Sequence, residues 1–208
     1  MQISGLWWSD NEKLWKSALD KYWQYIMDNN IALEEKMEHL DPSHIEAMSV
    51  EEFYDFLHNE YYVWKYTAKN RLATTRKQLE RCCSENRLSE LADIKDALFS
   101  FDLDKEITGL DIALRILGLG TAGASGLLAV LFPAHFATVD QFVVKSLRNI
   151  DGIPEKEMLD RMNPDSLKLS DGVLLIKIMK RKAAELNYRF NTDYWTPRKI
   201  DKVLWSMR

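Results

Sequence analysis

The run "LDIALRILGLGTAGASGLLAVLF", residues 110 to 132, constrains the fold more than any other stretch. Its first half carries apolar residues at helical spacing, with Thr108 placed to cap and Asp111 in the first turn. Its second half is small and apolar, predicts a closely packed helix, and is stopped by Pro133. Between them lie glycines in the spacing G-x-G-x-x-G at 118 to 123. The connection predicts a very short turn in which Gly118 and Gly120 take backbone angles closed to other residues and let a second backbone come close. The amides of Gly118, Leu119, Gly120, Thr121 and Ala122 then face outward just before a helix N-terminus. Unpaired amides at the positive end of a helix dipole make a site for phosphate.

The rest of the chain also reads as helix. Ser9 with Glu12 and Ser49 with Glu52 have capping-box spacing, Asp41-Pro42 and Asn86 mark breaks, and Thr196-Pro197 opens the last helix. Asp140 stands where an N-cap would sit before "QFVVKSLRNI". The Asp-Gly pairs at 151 and 171 lack flanking alternation and read as loops or helix starts. The expectation is an all-α chain of about nine to eleven helices. A dinucleotide site would need a strand before the glycines and another ending near Asp140. Neither flank has strand character and no βαβ alternation exists elsewhere, so that reading is set aside.

Net charge is −4, an unpromising balance for a nucleic-acid partner, but the charge is uneven. The first hundred residues carry 12 basic and 18 acidic side chains, and the remainder 16 and 14. "RLATTRKQLER" (71 to 81), "KIMKRK" (177 to 182) and "TPRKIDK" (196 to 202) are local basic clusters. Each suits phosphate contact, or simply a solvated helix face. The adjacent Cys82 and Cys83 cannot easily pair within one helix and leave too few thiols for a four-cysteine zinc or iron–sulfur site. No metal centre is expected. No apolar run has membrane-spanning length, and the N-terminus lacks secretory-signal features, so a cytoplasmic protein without membrane contact is expected.

"ILGLGTAGASGLLAVLF" resembles the helix-hairpin-helix of the base-excision DNA glycosylase superfamily, whose pattern is L-x-G-V-G-x-x-T-A. Ile116, Gly118, Leu119, Gly120 and Ala124 fill matching places. Val139-Asp140 matches a "VD" that follows the hairpin by some twenty residues in that family. The likeness is good over 110 to 148 and looser over "YYVWKYTAKNR" and "TPRKIDKVLW", which look like stretches of poorly characterised bacterial relatives. It implies two helical lobes: a barrel over 46–136 ending in the hairpin (about 108–132), and a lobe joining 1–45 to 137–208. It implies double-stranded DNA as partner, with no obligate protein partner. Gly118, Leu119, Gly120, Thr121, Ala122 and Gly123 would bind its phosphates.

In this resemblance Asp140 is the catalytic carboxylate, stabilising oxocarbenium-like charge while a flipped base is excised. The resemblance implies no organic cofactor or iron–sulfur cluster, and leaves room for a structural monovalent cation at the hairpin. Bifunctional members place a Schiff-base lysine where this chain has Ala122, so a monofunctional enzyme is expected. The alternative is a helix-hairpin-helix protein that binds DNA without chemistry. Trp64, Lys65, Arg71 and Trp195 are candidates for base pocket or DNA contact, against core packing for the tryptophans and plain surface for the cations. His135 could shuttle a proton, or be an ordinary loop histidine.

Overall fold

The structure, a computed structural model, describes residues 2–207. The chain is all-α: among the described residues every regular element is a helix and there is no strand. Among the described residues there are fifteen α-helical segments, more and shorter than expected, because several expected helices are broken by a single turn. The basic stretch after Lys69, for example, divides into Lys69–Leu79 and Arg81–Ser84.

Local caps explain most starts. The Ser49–Glu52 box is formed in both directions, and Thr196 Oγ1 accepts the amide of Lys199 with Pro197 in the first turn. Asn86 breaks the chain at φ 56°. Three expectations are corrected. Asn11, not Ser9, caps Glu12–Gln24, because its Oδ1 reaches the amide of Lys13 while Ser9 Oγ is taken by the amide of Asn11. The first hairpin helix begins at Glu106, two residues before Thr108, where Lys180 Nζ holds the Glu106 carboxylate at 2.8 Å. Asp41 does not only end a helix; it caps the short helix Pro42–Ala47.

Glu106–Leu114 packs on Thr121–Leu131 and on the long helix Leu169–Phe190. In Thr121–Leu131 every residue but Ala122 is buried. Leu127, Leu128 and Leu131 each contribute about 1.5–3 kcal/mol by leaving water. The last helix, Pro197–Ser206, lies against Glu12–Gln24, Gln141–Arg148 and Leu169–Phe190, so the two ends of the chain pack together. One continuous core joins the segments expected as separate lobes: Phe53, Leu98 and Leu131 meet it from 46–136, and Trp15, Leu175 and Leu204 from the chain ends.

Helix Val50–Phe56 runs through a π turn, Leu57–Tyr61, into Tyr62–Lys65. A π turn advances the register by one residue and rotates everything after it. Here it delivers Tyr61, Tyr62, Trp64, Lys65 and Tyr66 to the hairpin and the cleft beside it.

Candidate functional site

The hairpin turn is held from one side by tyrosines. Tyr62 Oη donates to the Leu117 carbonyl at 2.6 Å and Tyr66 Oη to that of Gly118 at 3.3 Å. Tyr61 Oη donates to the carbonyl of Gly123. Gly118 has φ +93°, and a Cβ on it would lie 2.6 Å from the Thr75 carbonyl oxygen. This is the close backbone approach expected at Gly118; the same expectation fails at Gly120, which lies in ordinary extended backbone at φ −93° with nothing within 4 Å of an added Cβ.

On the other side the turn lines a cleft of about 420 Å³ with Arg71 and residues 164–167. Gly118, Gly120, Thr121, Ala122 and Gly123 all border it. Among the described residues no backbone acceptor meets the amides of Gly120, Thr121, Ala122 or Gly123, so they are the open donors of a helix start. Leu119 differs. Its side chain is buried and its amide bonds the Ile116 carbonyl, so it supplies no donor to the cleft. The Thr121 hydroxyl is spent on the Leu167 carbonyl at 2.8 Å, leaving its amide as the available group. The carbonyls of Leu117, Gly118 and Gly123 each accept one phenol hydroxyl, which ties the turn to the helix carrying the tyrosines.

A second cleft, of about 460 Å³, opens next to the first. Its walls are aromatic, from Tyr22, Tyr25, Trp64, Phe142 and Trp205. At its base a buried polar set is almost fully paired. Glu34 accepts from Tyr22 Oη and Trp64 Nε1, each at 2.6 Å, and Arg198 reaches it at 3.5 Å. Arg198 also donates to Asp201 at 2.8 Å and to Thr138 Oγ1 at 3.1 Å. Asp201 in turn accepts the Thr138 amide at 2.6 Å, which ties the last helix to the strip of chain leading into Asp140. Burial pushes the Asp201 carboxyl up to about 6, with Arg198 opposing that shift. Burial likewise raises the Tyr22 phenol, again with Arg198 opposing, so Tyr22 remains a donor.

Lys65, Asp140 and Phe142 line both clefts. Asp140 is the N-cap of Gln141–Arg148, as its position predicts. One oxygen, Oδ1, accepts the amides of Phe142 at 2.8 Å and Val143 at 3.0 Å. The other, Oδ2, accepts no hydrogen bond among the described residues. The cap thus fixes the carboxylate while leaving an oxygen for chemistry. Lys65 is half-buried, its Nζ stands 5.8 Å from the Trp64 ring centre, and burial holds its amine below the usual lysine range. Asp140 is the foremost opposing influence on that amine.

Of the other candidates, Trp64 walls the aromatic cleft and Arg71 is exposed on the hairpin cleft. Trp195 lines neither: it is 2% exposed, packed against Trp15 and Tyr194 in the core. His135 lies outside both clefts, with Nδ1 3.5 Å from Asp104. The cluster "TPRKIDK" is not a solvated face. Arg198 is 6% and Lys202 1% exposed, because Glu34, Asp201 and Glu38 neutralise them inside the protein. Sequence reasoning missed Tyr22, Glu34, Phe142, Arg198 and Trp205. Arg198, Asp201 and Trp205 do share one face, at i, i+3 and i+7 of the last helix.

Among the described residues no group of three or more His, Cys, Asp or Glu is placed to hold a metal ion, and none of the helices is long and apolar enough to cross a membrane. Compared with known proteins, the chain matches no family model, no curated protein and no solved structure.

Proposed function

We propose that this chain is a DNA-binding protein of the helix-hairpin-helix glycosylase type, excising a damaged or modified base from double-stranded DNA. One observation carries the reading: the cleft of open hairpin amides and the aromatic cleft share Asp140, the carboxylate that lines both. The hairpin amides grip backbone phosphates without reading sequence. The neighbouring nucleotide turns out of the duplex, and its base stacks among Tyr22, Trp64, Phe142 and Trp205. Asp140 Oδ2 then faces the deoxyribose. As the N-glycosidic bond lengthens, positive charge grows on the sugar and the carboxylate stabilises it. The same oxygen orients the water that attacks C1′ and accepts its proton.

The test uses duplexes carrying different base lesions, with wild type and Asp140→Asn. Asparagine keeps the helix cap and removes the charge. Free-base release by wild type alone supports the enzyme. Duplex binding without release by either protein supports a binding module instead, in which Asp140 acts only as a cap.

A further inference from the structure

We infer that the Lys65 amine is a nucleophile toward C1′ of an abasic deoxyribose, which makes the protein a strand-cleaving lyase as well. The inference rests on the reading above. It also replaces the expectation of a monofunctional enzyme, which considered the hairpin position of Ala122 alone.

Three observations converge. Lys65 comes from the helix after the π turn, yet it lines both clefts at the place where they meet Asp140. The second hairpin helix makes room for it: a Cβ on Gly126 would stand 3.2 Å from both Cδ and Nζ of Lys65 and 2.8 Å from Tyr61 Oη. A mid-helix glycine costs roughly 0.5–1 kcal/mol against alanine, so the seat is not free of cost. Finally, among the described residues no hydrogen-bond acceptor and no carboxylate within 4 Å occupies the Nζ. A lysine serving as a structural ion pair would have such a partner, as Lys182 and Lys202 do with Glu185 and Glu38.

Burial favours the uncharged amine, the form that attacks a carbonyl. Arg198 adds to that effect, while Asp140, Asp201 and Glu34 oppose it. The chemistry balances without an oxidant or metal. The Nζ lone pair adds to the C1′ aldehyde of the abasic site, and the carbonyl oxygen leaves as water to give an iminium. A base removes a proton from C2′, and the electron pair expels the 3′ phosphate by breaking C3′–O. Water then hydrolyses the unsaturated iminium and restores the amine. Asp140 Oδ2 is the nearby group able to move the C2′ proton.

The probe is a duplex with one abasic site, incubated with the full chain and sodium borohydride. Hydride reduces the iminium to a stable secondary amine, so a covalent protein–DNA adduct is expected, and peptide mapping should place it on Lys65. Lys65→Arg keeps the charge but lacks the nucleophile, and should lower the adduct at least tenfold relative to the fraction of duplex it binds in a mobility-shift gel. Mapping on wild type needs no variant to fold. An adduct on another lysine, or an undiminished yield in Lys65→Arg, overturns the inference. So does duplex binding and base release by wild type with no adduct, and this outcome leaves the glycosylase reading standing. Failure of wild type to bind duplex overturns both.

Discussion

Gly118 and Gly120 stand two residues apart in the same turn, yet alanine should destabilise the fold at the first and leave its stability nearly unchanged at the second. At Gly118 the backbone has φ +93°, and an added Cβ meets the Thr75 carbonyl oxygen at 2.6 Å and Tyr62 Cε2 at 3.3 Å. The left-handed backbone costs an alanine about 1–2 kcal/mol. The overlap is with main chain rather than a flexible side-chain tip, so helix Lys69–Leu79 must move from the hairpin, at about 1–3 kcal/mol. Together these reach about 2–5 kcal/mol. For a chain of this size each kcal/mol shifts the melting temperature by roughly 2–4 °C, so Gly118→Ala should melt roughly 4–20 °C lower. Gly120 has φ −93° and nothing within 4 Å of its added Cβ. There alanine gains about 0.4–1 kcal/mol by restricting the unfolded chain, offset in part by its poorer N-capping. Gly120→Ala should therefore melt within about 4 °C of wild type. Its methyl nevertheless stands on the face of the hairpin cleft, so its affinity for duplex DNA should fall. Calorimetry and a mobility-shift titration on both variants check this. Equal melting of the two, or a less stable Gly120→Ala, would refute the division of the turn into a packed glycine and an open one.

Other outcomes follow from the site. Asp140→Ala loses two capping bonds and should cost about 1 kcal/mol in denaturant unfolding, whereas Asp140→Asn should melt like wild type. Arg198→Met leaves Asp201 and Glu34 buried without their counter-charge, and should cost about 3–5 kcal/mol in the same assay. Lys65→Met should raise stability near pH 7, because the fold disfavours the charged amine. The folded amine lies below its unfolded value, so the wild type sheds its penalty as pH rises through the folded value toward about 10.4, and the advantage of methionine should shrink over that window. Melting curves at several alkaline pH values read this directly. Tyr62→Phe removes the donor to the part-buried Leu117 carbonyl and should cost about 1–3 kcal/mol in urea unfolding.

The features legible in the sequence are those decided within three or four residues. Asp140 caps its own helix through the amides of Phe142 and Val143, Thr196 does the same for Lys199, and the glycine turn is local by nature. The basic character of "TPRKIDK" misled because burial of Arg198 and Lys202 depends on Glu34 and Glu38, each 164 residues distant. Trp64 and Trp195 differ only by their surroundings: Trp64 donates to Glu34 at the cleft, and Trp195 packs on Trp15. The π turn at Leu57–Tyr61 has no signature in the apolar spacing, yet it decides which face of the helix carries Lys65. Lys65 could be proposed as a DNA contact from sequence; its place beside Asp140 required the coordinates.

Fastening the turn by phenol hydroxyls has an electrostatic result. Burial raises Tyr61 and Tyr62 well above the ordinary range and pushes Tyr66 up to about 12, so all three anchors stay neutral donors through mild alkali. A lysine amine changes charge before they do. In the proposed reading the hairpin's phosphate contacts are thereby insulated from the titration next door, and a pH–rate profile on abasic DNA should register the amine while the three phenols stay neutral.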